Sequence, residues 1–465
     1  MTSPKLPFNH LSVQSVRNRL TVEALSIQEL LQACLQRISC REAKVQAWTY
    51  LDIDRAKKRA DEWDQALTQH RRQCLEAYPL LGIPIAVKDI FATLGLPTEW
   101  GMEIYHDRYF DYEAAVVSNL KAAGAIVLGK TVTTALATAT AGPTTNPHNR
   151  AHTPGGSSSG SAAAVADGMV PLAIGSQTMG SVVRPAAYCG VFGFKPSFGL
   201  ISRYGMMPVS QALDHVGLFA RSLDDIQRLF SVLAKSDLRD PDCQFTQRTV
   251  LAGNSIGHGN RPIRLGLVKT PYWEQAEDIV QTRVVQAAEV LGQADIIVDL
   301  VTLPAEFDRA WYIVQTLCAY GLYQDHGALL TASSIPCPPL LERWLKRGRS
   351  ISNSAYQEAC QWRARYRQLL TSIFTQYDAV LTPSTTGPAP LGLDNTGSPI
   401  FCGLWTLCGV PALNLPIGYT ADGLPLGCQL VGARYCDRHL LNIAEQCWQI
   451  LKKVFGDIQI PVGPE

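Results

Sequence analysis

The stretch "PGGSSSGSAAAVADG", residues 154–168, decides how this chain is read. Serines 157, 158, 159 and 161 stand among glycines 155, 156 and 160, and an apolar alanine run follows. Such a cluster is either a flexible spacer or a place where backbone and hydroxyl groups must come very close. Glycine with serine alone would favour the spacer. The flanks argue against it, because "SAAAVADGMV" is helix-competent and "PLAIG" is strand-like. A phosphate-cradling loop is also disfavoured: no lysine follows Gly160, and neither G-x-x-x-x-G-K-[ST] nor G-x-G-x-x-G is present here. Gly156, Ser158 and Gly160 satisfy G-x-S-x-G, but that elbow needs a strand before it. The preceding "NPHNRAHTPG" is polar, with two prolines.

Outward from this stretch, helices and strands alternate. Ser26 is placed to cap "IQELLQACLQRI", whose apolar residues recur at helical spacing. "DRAKKRADEWDQAL" reads as a second helix. "YPLLGIPIAVKDI" is a continuous apolar run ending at Lys88, as a buried strand would be. "VVSNLKAAGAIVLGKT" reads as helix, glycine turn and strand, and residues 171–200 as strand, sharp loop, short helix and strand. "PIRLGLVKT" and "YDAVLTPS" read as strands, as do "LWTLCGVPALNLPIG" and "LPLGCQLVG". One long helical region is expected over about 340–376, after Pro338 and Pro339, and a last helix at "RHLLNIAEQCWQIL". The polar segment 236–262 reads as a surface excursion. The alternation predicts an α/β fold, and no linker separates two domains.

Composition narrows the function. Hydrophobic residues make up 46% and charged residues 17%, the balance of a globular chain with a large core. The formal net charge is +1, and no basic block occurs, which argues against a nucleic-acid partner. No apolar stretch approaches the roughly 18 residues that span a bilayer, and the N-terminus lacks a signal-peptide core. The 13 cysteines, an odd number without a C-x-x-C pair, fit a reduced, cytoplasmic setting. The nine histidines show no metal-binding spacing, so no metal is expected.

"GGSSSGS" at 155–161, "GSQTMGSVVRPAAYCGVFGFKP" at 175–196 and "GIPIAVKD" at 82–89 together resemble the amidase signature family. Ser157 and Ser181 stand 24 residues apart, as in the family pattern. "GAIVLGKT", "NPHN", "LDHVGLFARSLDD", "YDAVLTPS", "WTLCGVPALNLPIG" and "GLPLGCQLVG" follow in family order, so the resemblance runs from about residue 25 to 447. It implies one large domain over 1–465 with a central mixed, twisted sheet covered by helices on both faces. The catalytic core would lie at about 75–225, and about 375–447 would complete the sheet.

Amide hydrolysis needs a nucleophile, a base that later returns its proton, and donors for the oxyanion. His152 and His215 lie near the motifs, yet each reads better as a surface or supporting residue. Desolvation lowers a lysine's pKa and frees its amine, and Lys88 ends an apolar run where this would happen. That local signal fits a structural lysine at a strand end equally well. The resemblance maps the family's base onto Lys88 and leaves Lys195 outside the catalytic set. It implies a triad in which Ser181 attacks, Ser157 relays the proton to Lys88, and the bridging serine follows a cis peptide bond. Ser158, Ser159 and Ser161 would then satisfy backbone groups. Backbone N–H groups of Thr178, Met179, Gly180 and Ser181 would form the oxyanion hole, with no metal or organic cofactor.

Three departures stand out. Where many members read "TDTGGSIRxPA", this chain has "SQTMGSVVRPA": Gln177 replaces an aspartate, Met179 a glycine, and the arginine falls one place later, at Arg184. They favour a stand-alone amidase over the glutamine-hydrolysing subunit of the tRNA-dependent amidotransferases. They also leave a non-catalytic scaffold on the same fold as an alternative. A methionine at 179 predicts ordinary negative φ there. Parts of 100–145, 310–350 and 390–405 are expected to build the pocket for a small-molecule amide, and a homodimer is common in the family.

Overall fold

A computed structural model describes residues 7–244, 261–332 and 337–461. Eleven strands form one sheet. In chain order they are β1 (Trp48–Leu51), β2 (Pro84–Lys88), β3 (Ile126–Thr131), β4 (Leu172–Gln177), β5 (Phe192–Lys195) and β6 (His215–Ala220). Then come β7 (Arg264–Val268), β8 (Ile297–Val301), β9 (Ala379–Pro383), β10 (Ala412–Tyr419) and β11 (Pro425–Gly432). Their spatial order is β1-β3-β2-β4-β6-β5-β10-β11-β9-β7-β8, so strands from 75–225 and from 375–447 share one sheet. The sheet is mixed, as expected. β2 runs parallel to β3 and β4, the middle strands are antiparallel, and β7 is parallel to both β8 and β9.

The sequence of β2 explains its place. "PIAVK" has no polar alternation because it lies between two parallel neighbours and is buried along its whole length. Lys88 is therefore delivered, at the strand's end, into the interior. The serine-glycine stretch then packs against this part of the sheet. Helix Ser159–Ala166 is buried at every position. Its small residues are required by the approach: a Cβ on Gly160 would lie 2.1 Å from the Ala47 carbonyl oxygen and 2.6 Å from the Val132 nitrogen.

Most of the expected elements form. Ser26 caps helix Ile27–Val45 and Glu29 closes a capping box with it. Two readings are corrected. "LWTLC" belongs to helix Ile400–Cys408, which Gly409 ends at φ +65°; the strand begins only at Ala412. The whole segment is apolar and buried, so periodicity could not separate helix from strand. The region 340–376 is two helices, Pro339–Arg349 and Asn353–Phe374, with Pro339 opening the first and Ser352 capping the second. In the polar segment 236–262, residues 245–260 lie outside the described residues. The described part is tied down by an Arg203–Asp240 ion pair of 2.9 Å and buries Cys243.

Candidate active site

Lys88 and the two serine motifs converge at the end of β2. The Lys88 ammonium group is fully buried. Its Nζ donates to Ser157 Oγ at 2.7 Å and to Ser176 Oγ at 2.9 Å. Burial pushes its pKa well below the ordinary lysine value of 10.5, and the negative field of Asp214 only partly opposes this. Among the described residues, no carboxylate touches the amine. The group is thus poised as a neutral base rather than as half of an ion pair. The Gly156–Ser157 peptide bond is cis.

The neighbouring serines satisfy backbone groups, as expected. Ser158 Oγ accepts from the Ser176 N–H and donates to the Ser176 carbonyl, both at 3.2 Å. Ser161 Oγ donates to the Ile174 carbonyl at 3.0 Å, and Ser159 Oγ reaches the Ser157 carbonyl at 3.5 Å. The histidines stand apart from the serines. His152 Nδ1 meets the Ala389 carbonyl, and His215 Nδ1 meets the Leu213 carbonyl. Lys195 is also buried, and its pKa falls to about 7, but its Nζ is spent on the carbonyls of Val410 and Pro196.

Ser181 follows β4 on the loop 178–182 and is 8% exposed. Its Oγ has no hydrogen-bond partner among the described residues, so no bond joins it to Ser157. The N–H groups of residues 178–181 likewise find no acceptor there. By contrast, those of Val182 and Val183 both donate to Gln177 Oε1, at 2.8 and 3.0 Å. A run of unpaired donors beside a hydroxyl is what a developing oxyanion requires.

The departures now have physical explanations. An amide at 177 accepts two N–H groups as a carboxylate would, and also donates. Gln177 Nε2 reaches Thr406 Oγ1 at 2.9 Å, and Thr406 Oγ1 donates to the Met179 carbonyl at 2.8 Å. The loop is thereby tied to helix Ile400–Cys408. Gly180 must stay small, since a Cβ there would lie 2.9 Å from Pro399 Cβ. Arg184 is buried and clamps the other loop: it donates to the carbonyls of Gly156 at 2.5 Å and Gly397 at 2.6 Å, and to Thr396 Oγ1 at 3.1 Å. Thr178 donates to Asp214 at 2.6 Å, and burial raises the pKa of that carboxyl.

Met179 has the expected φ, as it is not among the residues with positive φ. It is half-buried and packs on one side against the apolar core. Met179→Gly is expected to shift specificity constants toward bulkier acyl groups and to slow small amides modestly. Specificity constants over a graded acyl series test this; an unchanged rank order with uniform slowing would place the side chain's role in the core.

Parts of two of the three segments expected to build the pocket, 100–145 and 390–405, border the two serine loops. The Thr134 N–H donates to the Ser157 carbonyl at 3.2 Å, and Thr396, Pro399 and Cys402 abut the two loops. A cavity of about 470 Å³ opens beside Thr133 and Ala135. Within 310–350, residues 333–336 lie outside the described residues. Among the described residues, no group of three His, Cys, Asp or Glu side chains is placed to hold a metal ion, and no helix is long and apolar enough to cross a membrane.

A buried lysine, two serines and an unpaired N–H loop on a mixed α/β sheet define an enzyme acting on amide C–N bonds. The sequence pattern of the Amidase family matches residues 29–441, and the chain belongs to that family, the amidase signature enzymes. A glutamyl-tRNA(Gln) amidotransferase subunit of Chloroflexus aurantiacus is 32% identical over 94% of this chain and 96% of its own length. The peptide amidase of Stenotrophomonas maltophilia superposes with a TM-score of 0.81 at 28% identity, covering 98% of this chain and 99% of its own. A second structure, from work on a vestigial protein complex and the origins of an s-triazine catabolic enzyme, gives a TM-score of 0.86 at 26% identity, covering 97% of this chain and 100% of its own.

Proposed function

We propose that the chain hydrolyses a carboxylic amide through an acyl-enzyme on Ser181, with Lys88 as base and Ser157 as proton relay. The observation that carries this reading is the 2.7 Å bond between a buried, charge-unpaired Lys88 and Ser157. Lys88 takes the Ser157 proton while Ser157 takes that of Ser181, and Ser181 Oγ adds to the carbonyl carbon. Rotation of the serine hydroxyls closes the Ser157–Ser181 step when substrate binds, since catalytic hydrogen bonds tighten in the Michaelis complex. The N–H groups of Thr178, Met179, Gly180 and Ser181 receive the oxyanion. One such donor is worth about 3–4 kcal/mol in the transition state. Collapse breaks the C–N bond, and the proton returns through Ser157 to the leaving nitrogen. Water then attacks the ester by the same route, releasing the carboxylate. Ammonia release from a panel of primary amides tests the activity.

The pH profile follows from Lys88. Its ammonium form is inactive, and its folded pKa is depressed. The limb of kcat/KM should therefore rise with pH and reach its plateau well below 10.5. A profile of kcat/KM against pH checks this; a limb at the ordinary lysine value would contradict a desolvated base. The same sign applies to stability. The unfolded chain binds the proton that the folded chain rejects, so the cost of burying this group falls as pH rises from the depressed folded pKa toward 10.5, and stability rises with it.

The substrate is a small-molecule amide, the setting cytoplasmic and the assembly a homodimer. All 13 cysteines are unpaired, which supports a reducing compartment, and sedimentation equilibrium tests the assembly. A second reading is favoured by the Chloroflexus aurantiacus relative: a glutamine-hydrolysing subunit of an amidotransferase. Co-purification with other chains and glutaminase activity would support it. Gln177, Met179 and Arg184 favour the stand-alone enzyme.

A further inference from the structure

Three arginines gather near the loop that follows β11, and among the described residues none of them forms an ion pair. Arg363 and Arg367 lie one turn apart on helix Asn353–Phe374 and share a face. Arg434 comes from the loop between β11 and the last helix, Asp437–Phe455. Arg363 and Arg434 make no hydrogen bond or ion pair among the described residues. Arg367 makes one, from Nε to the Cys408 carbonyl at 3.1 Å. Four guanidinium nitrogens are shut away from solvent with no acceptor: Nε and Nη2 of Arg363, Nη2 of Arg367 and Nε of Arg434.

The three charges feel one another. Burial lowers the pKa of Arg367 to about 9, and the positive fields of Arg363 and Arg434 push it further the same way. Arg434 also lowers Arg363. The Phe198 ring takes part of the load, with the guanidinium carbons of Arg363 and Arg367 at 4.5 and 5.8 Å from its centroid. The acid whose field reaches Arg363 is Asp242, and its carboxylate is already held by Arg203 at 2.5 Å. Buried donors without acceptors are costly, and charged ones more so. Three of them close together supply the donors that an anion would need.

We propose that Arg363, Arg367 and Arg434 bind a phosphate group, carried by inorganic phosphate or by a small phosphomonoester, at a site separate from the triad. The donor count favours phosphate over carboxylate. Four orphan donors on three planes suit a tetrahedral dianion, whereas a carboxylate offers two oxygens in one plane. A cavity of about 400 Å³ borders Arg367 and Arg434, with Gln368, Thr371 and Val410 on its wall; Arg363 lies behind this lining, one helical turn from Arg367. It exceeds what a phosphate fills and leaves room for an organic ester group. The site touches the triad's scaffold only indirectly. Arg367 holds the last turn of helix Ile400–Cys408, and Thr406 of that helix holds the Met179 carbonyl.

Isothermal titration of the full-length protein at fixed ionic strength, in buffer free of phosphate and sulfate, tests this. The probes are inorganic phosphate, glycerol 3-phosphate and malonate. Saturable binding of phosphate or its ester is expected, weakened about tenfold or more by Arg363→Met and by Arg434→Gln. Phosphate should also raise Tm in the wild type and not in either variant. The loop variant keeps the test valid if the helix variant fails to fold. Tighter binding of the ester assigns the cavity to an ester, and equal or weaker binding assigns the site to free phosphate. Malonate binding as tightly as phosphate would overturn the assignment of a tetrahedral anion. No saturable binding of any probe, or binding unchanged in both variants, would overturn the site.

Discussion

Lys88→Ala is expected to lower kcat/KM for amide hydrolysis by up to about 10⁴-fold, the upper range for losing a general base. Among the described residues, the amine's hydrogen-bond partners are the hydroxyls of Ser157 and Ser176, so it has no ion-pair role to lose. Removing it leaves two hydroxyls without a partner but also removes a buried ionisable group, and the Tm should stay level or rise. Lys88→Met preserves most of the volume and should lose activity equally. Initial rates and thermal unfolding of both variants check this. Near-normal turnover in either would remove Lys88 from the mechanism.

Ser181→Ala should cost about 10⁴-fold or more in kcat, because no other side chain takes over the covalent bond to the acyl carbon. The Ser157 hydroxyl is the nearest substitute in the sequence pattern, but it is engaged by Lys88 and is buried more deeply than Ser181. Only one oxygen is lost, and it has no hydrogen-bond partner among the described residues, so substrate affinity should hold. The check is a fall in kcat with Kd for a competitive carboxylate product unchanged. A drop in affinity of the same size as the rate loss would mean that Ser181 binds substrate rather than attacks it.

The proposed triad is legible in the sequence through the family resemblance, which maps its members onto three short motifs; the apolar run before Lys88 alone fits a structural lysine equally well. Lys88 ends an apolar strand, and the two serines lie among glycines. The strand is also readable, since burial on both faces leaves a continuous apolar run. What supports the triad is not legible. Ser176 reads as one more serine in β4, and its role emerges only when the strand brings it beside Lys88. Thr406 lies 229 residues from Gln177, and nothing in either local pattern announces their bond. Its helix reads as a strand, because a wholly buried apolar segment carries no period. Asp214 is hidden inside a longer motif, though it receives Thr178 and two backbone N–H groups. The three departures leave the catalytic reading contested at the level of sequence. The structure shows the amide of Gln177 keeping the acceptor role and adding a donor, which ties the Ser181 loop to its neighbour.

The central claim is that Ser181 carries the covalent bond, activated through Ser157 by a neutral Lys88. Mass spectrometry of the intact and digested protein after exposure to a fluorophosphonate measures this directly. One phosphonyl group should be found, on the peptide containing Ser181, and its rate of formation should rise with pH along the same limb as amide turnover. Ser181→Ala should take up none, and Lys88→Ala should react far more slowly. An adduct on Ser157, Ser158 or another residue, or no adduct in a protein that still releases ammonia from amides, would contradict the account.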